Sequence, residues 1–588
     1  MLRDLAALEA ANLIRLAGPK SEQAYVFRHT LVQETAYASL LKRDRADLHL
    51  AVGNVLERAF PDQQSEMAEQ LAHHFAEAGD LPKAQRFFGV AAEHARQRYA
   101  HIEAIGSYTR ALEIAELRHD LAMVCDLRRG RGQLYEILGF FDDARSDHEA
   151  AWEAAQLLGD LRATWQAHVD LGDLWAGKDY EQTGAYYEEA LALASRLGDD
   201  VVLAHTLNRM GNLDTNVASP LEGAERHRQA LAIFEKLGDE EGIAQTMDFL
   251  ATAELLAGDM AAGSEYGVEA SRLFLKQGND LRLAGAMAMT SMVGVNLQND
   301  HLVPFPTPVA DLIRDAKQAR RLSAEIGWRS NEAFAMFVVA VDSGAIGEYG
   351  EAMRSADEAI AIADQIGHDQ WRAAANGGRG LIMLDLLLPA QAAPYLEEGM
   401  TDADRSNSSH WQRTIASYMA RAHAMQGDFE EADRLLTAYH VRSLRPKAIS
   451  ERALLLALAE MELAKGKPGE SLDVLQTLFE TAPGWSPGVP IPKLDWLKAR
   501  ALIESGHTSG VEDLLLKSIE EAEQRSYRSI LWRLYSALAR LHGTKGREKE
   551  AAKAANRASA IVDALAKTIP DHSLRAQYSA RALGWVAG

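Results

Sequence analysis

The sequence predicts an all-α fold: a right-handed α-solenoid of about twelve helical hairpins with a period near 40 residues. The first observation behind this prediction is a set of glycines, Gly159, Gly198, Gly238 and Gly278, which lie 39, 40 and 40 residues apart. Each ends a run with apolar residues at helical spacing, and glycine most easily takes the left-handed conformation that follows a helix. A fixed period between about 20 and 50 residues is typical of stacked repeats. The second observation is that strand-like alternation is almost absent after residue 30.

The third observation is a recurring set of small residues separated by 12 and then by 7 positions, such as Gly211, Gly223 and Ala230. The first lies on the first predicted helix of a hairpin, and the other two lie on one face of the second helix. Small side chains at these points let two antiparallel helices approach to the short end of the usual range of about 8–10 Å. The spacing therefore predicts closely packed helix pairs.

One copy of this spacing, Gly132-x2-Tyr135 followed by Ala144 and Ala151, resembles the tetratricopeptide (TPR) pattern. The usual TPR period is about 34 residues. A period near 40 implies helices that are longer by most of a turn. The alternative is a helical solenoid of another repeat family.

The composition excludes several classes of protein. A net charge of −22 and a pI near 5.4 disfavour nucleic acid as a main partner. The single cysteine, Cys125, rules out an intramolecular disulfide and a cysteine-rich metal site. We find no signal peptide and no run of 18 apolar residues, so we expect a cytoplasmic protein that does not insert into a membrane.

Residues 1–60 do not follow the repeat. A helix is predicted from Leu2 to Leu8, followed by two short strands at 13–16 and 25–27 around a turn and by helices at 29–41 and 44–58. The order of helix, two strands and helix is the ending of a winged-helix domain. The sequence that carries this reading is Tyr25-x-Phe27-Arg28-His29-x-Leu31-Val32-Gln33-Glu34-x-Ala36-Tyr37.

This segment resembles the winged-helix part of STAND ATPases (signal-transduction ATPases with numerous domains), especially bacterial members that carry TPR arrays. The resemblance implies that His29, with Arg28 beside it, senses the β-phosphate of a bound nucleotide. An imidazole at a helix start suits a phosphate. The alternative is that both residues only cap and anchor a helix. No Gly-x4-Gly-Lys-Ser/Thr motif is present, so an ATPase domain would act in cis from a longer chain or in trans, and we expect no cofactor here.

We divide the chain into four segments. Residues 1–60 form the winged-helix-like segment, and residues 61–118 form a first hairpin and an extra helix. Residues 119–481 form the TPR-like array, with a Pro-rich loop at 301–308 that we expect to protrude. Residues 482–588 contain a second Pro-rich loop, the last two hairpins and a C-terminal cap. Each loop is either a partner contact or a passive spacer.

In a TPR stack the first helices line a concave groove, and the small residue of each first helix serves as a ruler for the positions that face it. Asn208 and Asn212, one turn apart, would hydrogen-bond the backbone of an extended peptide; the alternative is that they are solvated. Trp165 and Trp175 are either anchors at this surface or core residues. The predicted groove residues are Arg129, Gln133, His168, Asn208, Asn212, Asp248, Thr252, Phe334, Phe337 and Val341.

The sequence favours a binding protein over an enzyme. The carboxylates form solvated helix faces without a pocket signal that would raise a pKa, and we find no metal-ligand spacing. Our first hypothesis is a non-catalytic interaction and sensor arm of a bacterial signalling or transcription-regulating protein that binds a partner protein or peptide. The second is a regulator with a small ligand inside the superhelix, and the third is an enzyme. The sequence does not identify the partner, the oligomeric state or any missing domain.

Overall fold

The computed structural model describes residues 2–17, 24–217, 219–292, 303–304 and 307–587. The chain divides into two compact units, residues 1–134 and 135–588. Across the described residues we find 29 α-helices and one two-stranded sheet. The all-α prediction is confirmed, because no strand follows Phe27 in this part of the chain.

The first unit begins with the β-hairpin that the sequence predicts. Its strands pair antiparallel, with Ile14 opposite Phe27, and the side chain of Ile14 is buried. Phe75 and Phe87, whose rings are stacked 5.6 Å apart, form the core of the first helical hairpin, α4–α5. The identity of residues 1–60 as a winged-helix remnant stays a prediction. The elements of this part are α1 (Leu2–Ala10), β1 (Ile14–Ala17), β2 (Ala24–Phe27), α2 (Thr30–Ser39), α3 (Lys42–Ala59), α4 (Ala68–Glu77), α5 (Leu81–Gln97), α6 (His101–Leu117) and α7 (Leu121–Leu138).

The second unit continues the array. Counted along the sequence, twelve consecutive helix pairs are present, α4–α5, α7–α8 and α9–α10 through α27–α28, as the period predicts. The helices are α8 (Phe141–Leu158), α9 (Leu161–Trp175), α10 (Tyr180–Leu197), α11 (Asp200–Val217), α12 (Pro220–Leu237), α13 (Glu240–Ala257), α14 (Met260–Gln277), α15 (Asp280–Ser291), α16 (Val309–Ile326), α17 (Arg329–Ala345), α18 (Tyr349–Gln365), α19 (Asp369–Asp385), α20 (Pro389–Arg405), α21 (Ser409–Met425), α22 (Phe429–Ala438), α23 (Ile449–Ala464), α24 (Pro468–Glu480), α25 (Pro492–Glu504), α26 (Val511–Gln524), α27 (Arg528–Thr544), α28 (Glu548–Lys567) and α29 (His572–Ala587).

The junctions between hairpins use two adjacent residues. The four periodic glycines end their helices with φ between 63° and 70°, in the left-handed region. The residue after each glycine caps the next helix. Asp239, for example, accepts hydrogen bonds from the backbone N–H groups of Glu241 and Gly242. A Gly-Asp pair thus stops one helix and starts the next, which is why the period could be read from the sequence.

The small residues bring paired helices together as predicted. A Cβ atom added to Gly223 would lie 2.1 Å from Thr215 Oγ1 and 2.5 Å from the carbonyl oxygen of Gly211. Helices α11 and α12 are therefore too close at this point for any side chain.

The second unit also contacts itself one superhelical turn later. Helix α11 contacts α21, α13 contacts α23, and α17 contacts α27, so each of these first helices meets the first helix five hairpins further on. The largest hydrophobic core of the described residues runs from Leu255 to Ala582 and includes these contacts. Packing between turns, in addition to packing between neighbours, therefore stabilises this unit.

The described part of the first Pro-rich loop does not protrude. Its residue Val303 is buried, and its Cγ1 lies 3.7 Å from a Cβ placed on Gly258. The expectation of an exposed loop is corrected there, because Val303 packs against the turn between α13 and α14. The remaining positions of this loop, 301, 302, 305 and 306, lie outside the described residues. Among the described helices, none has the length and apolar character needed to cross a membrane.

Candidate functional site

Four of the predicted groove residues, Asn212, Asp248, Thr252 and Phe334, line one cavity of about 300 Å³ in the second unit. We call it the inner cavity, because it lies among the first helices α11, α13, α15, α17, α19 and α21. Its lining consists of Ala176, Tyr180, Asn212, Asn216, Asp248, Phe249, Thr252, Leu256, Arg282, Gly285, Met289, Met292, Trp328, Asn331, Phe334, His368, Gln370, Trp371, His410 and Trp411.

Hydrogen bonds between successive turns hold one side of the inner cavity. The hydroxyl of Tyr180 donates to Gln370 Oε1 at 2.8 Å, and the backbone N–H of Gln370 donates to the carbonyl of Gly177 at 2.9 Å. The backbone N–H of Tyr180 donates to the carbonyl of Ser406 at 3.1 Å. Gly177 has a φ of 81°, and a Cβ there would lie 2.7 Å from Gln370 Oε1. This contact between turns thus requires glycine at position 177.

Polar side chains on one wall of the inner cavity have no partner of their own. Within the described residues, the side chains of Asn212, Asp248 and Arg282 make no hydrogen bond and no ion pair shorter than 4 Å. Burial raises the pKa of the Asp248 carboxyl to about 6, although the positive charge of Arg282 opposes this shift. Burial also lowers the pKa of the Arg282 guanidinium, and Arg209 adds to the effect. Since buried polar groups in folded proteins are almost always paired, this wall is suited to a ligand.

The opposite wall is aromatic. Phe334 and Trp371 stack with their ring centroids 4.6 Å apart, and His368 stacks on the other ring system at 5.4 Å. The Nε2 atom of His410 is buried and has no hydrogen-bond partner among the described residues. Burial lowers the pKa values of His368 and His410 to about 3, so both imidazoles are neutral at pH 7. The inner cavity therefore combines flat apolar surfaces with neutral and charged hydrogen-bonding groups.

Three other predicted groove residues lie in the core and do not line the inner cavity. Phe337 and Val341 are buried, and the ring of Phe337 packs edge-on against Trp411 at 5.6 Å. Asn208 is buried as well: its Nδ2 donates to Thr246 Oγ1 at 2.8 Å, and its Oδ1 lies 3.0 Å from His227 Nδ1. Their expected exposure is corrected, because the hydrogen bonds of Asn208 are satisfied internally and because α17 packs against α27 of the next turn.

The remaining predicted residues lie elsewhere. His168 is half-buried and accepts a hydrogen bond from Trp152 Nε1 at 3.3 Å, outside the cavity lining. Trp165 is buried and donates to Thr206 Oγ1, so it is a core residue, whereas Trp175 is half-buried. Arg129 and Gln133 belong to the first unit and are half-buried.

The two residues proposed to sense a nucleotide, Arg28 and His29, are exposed on the first unit. His29 occupies the N-cap position of α2, but its side chain makes no capping hydrogen bond. Its carbonyl oxygen accepts from the backbone N–H groups of Val32 and Gln33. The nucleotide-sensing role stays a prediction.

The aromatic wall could have been found from the repeat. Asn331, Trp371 and Trp411 are separated by 40 residues each, and so are Trp328, His368 and Ser408. Equivalent positions in the first turns of three successive first helices therefore supply much of this wall. The sequence analysis used the small residues as its ruler and did not apply the same period to the tryptophans.

In the described part of the chain, no group of three or more His, Cys, Asp or Glu side chains is placed to hold a metal ion. No family model and no curated protein matches the chain. Among solved structures it is similar to a Rap protein complexed with competence and sporulation factor, with a TM-score of 0.41 and 12% identity over 70% of this chain and 100% of that chain. It is also similar to the APC/C hetero-tetramer Cut9–Hcn1, with a TM-score of 0.42 and 14% identity over 93% of this chain and 98% of that chain. Similarity at this level is too low to carry an argument about function.

Proposed function

We propose that this chain is a non-catalytic binding protein whose inner cavity takes a short extended peptide segment of a partner protein. The observation that carries the proposal is the wall of unpartnered polar groups, Asn212, Asp248 and Arg282, opposite the stacked rings of Phe334 and Trp371. A carboxamide offers both a donor and an acceptor, which matches the backbone of an extended peptide. The aromatic wall suits one apolar side chain of the same segment.

The size of the inner cavity limits the ligand. A volume of about 300 Å³ is at the lower end of ligand pockets, which span about 300–1,000 Å³. The turn-to-turn hydrogen bonds of Tyr180 and Gln370 occupy space that a long peptide in an open groove would need. These facts support a segment of a few residues and disfavour a long peptide along the whole concave face.

The wider context of the proposal rests on the resemblance of residues 25–37 to STAND ATPases. On that basis the protein acts in the cytoplasm of a bacterium as the sensor arm of a signalling or transcription-regulating system. Binding would shift the population of a coupled ATPase domain, in cis or in trans, which requires different affinities for its two states.

A selection from a random peptide library tests the proposal. Peptides enriched on the full chain are measured by isothermal titration calorimetry against the wild type and against Asn212→Ala. We expect this substitution to weaken binding about tenfold, as the loss of a buried hydrogen bond to the ligand does. The matched control is Gln229→Ala, since Gln229 is an exposed amide on α12. Equal affinities for the wild type and Asn212→Ala would remove the inner cavity as the binding site.

A small organic ligand is the second candidate, and the unpartnered Nε2 of His410 favours it, because one aimed hydrogen bond is enough to orient a small molecule. Native mass spectrometry of the purified chain distinguishes the two candidates. A bound molecule that is lost in the double variant Asn212→Ala/Asp248→Ala, together with no enriched peptide, would favour the small ligand.

A further inference from the structure

A second cavity, of about 370 Å³, lies further along the inner face of the second unit. Five cationic side chains line it, and the C-terminal helix α29 forms one side through Trp585. The cations are Arg421, Lys493, Arg500, Arg533 and Arg581. We call this cavity the cationic pocket.

The positive charge of the cationic pocket is unusual in a chain with a net charge of −22. Its five cations face only two carboxylates, Asp385 and Glu460. Glu460 is already engaged, because it accepts from Arg421 at 2.9 Å and from Lys493 at 2.8 Å. The pocket thus keeps an excess of positive charge that no carboxylate in its lining neutralises.

Two of the arginines are fixed by backbone contacts between distant parts of the chain. Arg533 donates to the carbonyl of Asp385 at 2.9 Å, and Arg581 donates to the carbonyl of Leu387. A carbonyl oxygen holds a guanidinium in place without neutralising its charge. Both cations are therefore positioned for a further anionic partner.

Arg500 is the least satisfied of the five. Its guanidinium lies between two indole rings, 5.0 Å from the centroid of Trp496 and 5.2 Å from that of Trp585. Its Nε is buried without a hydrogen-bond partner among the described residues, and its contact with the carboxylate of Glu504 is 3.8 Å long. Burial lowers the pKa of this guanidinium, and the nearby positive charges of Arg540 and Arg533 contribute to the shift.

We propose that the cationic pocket binds a carboxylate carried by an apolar or aromatic group. The arginines supply charge-assisted donors for the carboxylate, while the indoles of Trp496 and Trp585 and the side chains of Leu384 and Met425 supply apolar walls. Such a ligand is either the C-terminal residue of a peptide or a free organic acid. This site is separate from the inner cavity and does not depend on the function proposed there.

Two pairs of probes test the proposal by isothermal titration calorimetry on the full chain. The first pair is acetyl-Ala-Ala-Phe with a free carboxylate and the same peptide with a C-terminal amide. The second pair is 3-phenylpropionate and 3-phenylpropionamide. Each acid keeps the shape of its amide, so the difference between them reports the charge. We expect at least one acid to bind about tenfold or more tightly than its amide.

The outcome also identifies the source of the carboxylate. Binding of the peptide acid alone indicates a peptide C-terminus, and binding of phenylpropionate indicates a free organic acid. If neither acid binds at millimolar concentration, or if amides bind as tightly as acids, the proposal is wrong.

Substitutions locate the site. Arg500→Met removes the charge and keeps much of the side-chain volume, so we expect about tenfold weaker binding of the acid with little change for the amide. Arg314→Met is the matched control, because Arg314 is exposed on α16. Should circular dichroism show that Arg500→Met is unfolded, Trp585→Ala replaces it, since Trp585 is 39% exposed and lies near the chain end. Acid binding that survives the folded variant unchanged would overturn the proposal.

Discussion

The inner cavity and the cationic pocket each contain a buried carboxylate, and the two carboxylates shift in opposite directions. Burial raises the pKa of Asp248 to about 6. Burial also acts to raise the pKa of Glu460, but Arg421 and Lys493 outweigh it and lower this pKa to about 2. Burial is common to both carboxylates, so direct contact with cations decides the sign.

The hydrogen bonds between turns differ in the same way. Near the inner cavity a phenol, an amide and backbone groups make them, through Tyr180 and Gln370. Near the cationic pocket charged donors make them, through Arg533, Arg581 and Arg528, which pairs with Glu348. The first region spends its polar side chains on an unfilled wall, whereas the second uses its charges to hold the fold and still keeps a surplus.

The largest effect is expected for Glu460→Gln. This change removes the carboxylate between Arg421 and Lys493 and leaves two cations less well paired, so the region should lose about 3 kcal/mol of stability at pH 7. The folded-state pKa is below the ordinary value of 4.5, so this stability is present above pH 4.5 and is lost as the pH falls toward 2. Hydrogen exchange of α23, compared at pH 7 and at pH 4, measures it.

The control for this substitution is Glu480→Gln, at an exposed position of α24. We expect it to change hydrogen exchange little at either pH. A Glu460→Gln protein as stable as the wild type at pH 7 would show that the two cations do not need their shared carboxylate.

The matching change in the inner cavity, Asp248→Asn, is expected to stabilise the protein. The folded-state pKa is raised from 3.8 to about 6, so ionised Asp248 destabilises the fold above pH 6, and this penalty disappears as the pH falls to 3.8. The gain should be about 2–3 kcal/mol at pH 7 and small at pH 4. Thermal unfolding of both proteins at the two pH values measures it. A destabilised Asp248→Asn at pH 7 would mean that Arg282 compensates the charge fully.

The fold was more accessible from the sequence than the site. Junctions such as Gly238-Asp239 encode the period locally, because one residue ends a helix and the next caps another. The small-residue ruler also found Asn212 and Asp248, which lie on adjacent hairpins. It missed Gln370, because that residue reaches the inner cavity only when the solenoid completes a turn. No local pattern states the pitch of the superhelix, and for the same reason Phe337 was expected to be exposed.

The smallest effect is expected for Tyr180→Phe, which tests the neutral hydrogen bonds directly. The substitution removes one hydroxyl and leaves Gln370 Oε1 without this donor, so contact between the turns should weaken by about 1–2 kcal/mol. Because no charge is involved, the loss should be the same at pH 5 and pH 8 and at low and high salt, unlike the loss in Glu460→Gln.

Hydrogen exchange of the first turn of α19 measures this loss. Tyr395→Phe is the control, since the Tyr395 hydroxyl makes no hydrogen bond with the described residues. Unchanged protection in Tyr180→Phe would mean that the backbone bonds of Gly177 and Ser406 hold the turn by themselves. A salt-dependent loss would mean that charged groups also take part in this contact, and the contrast between the two regions would then be one of degree.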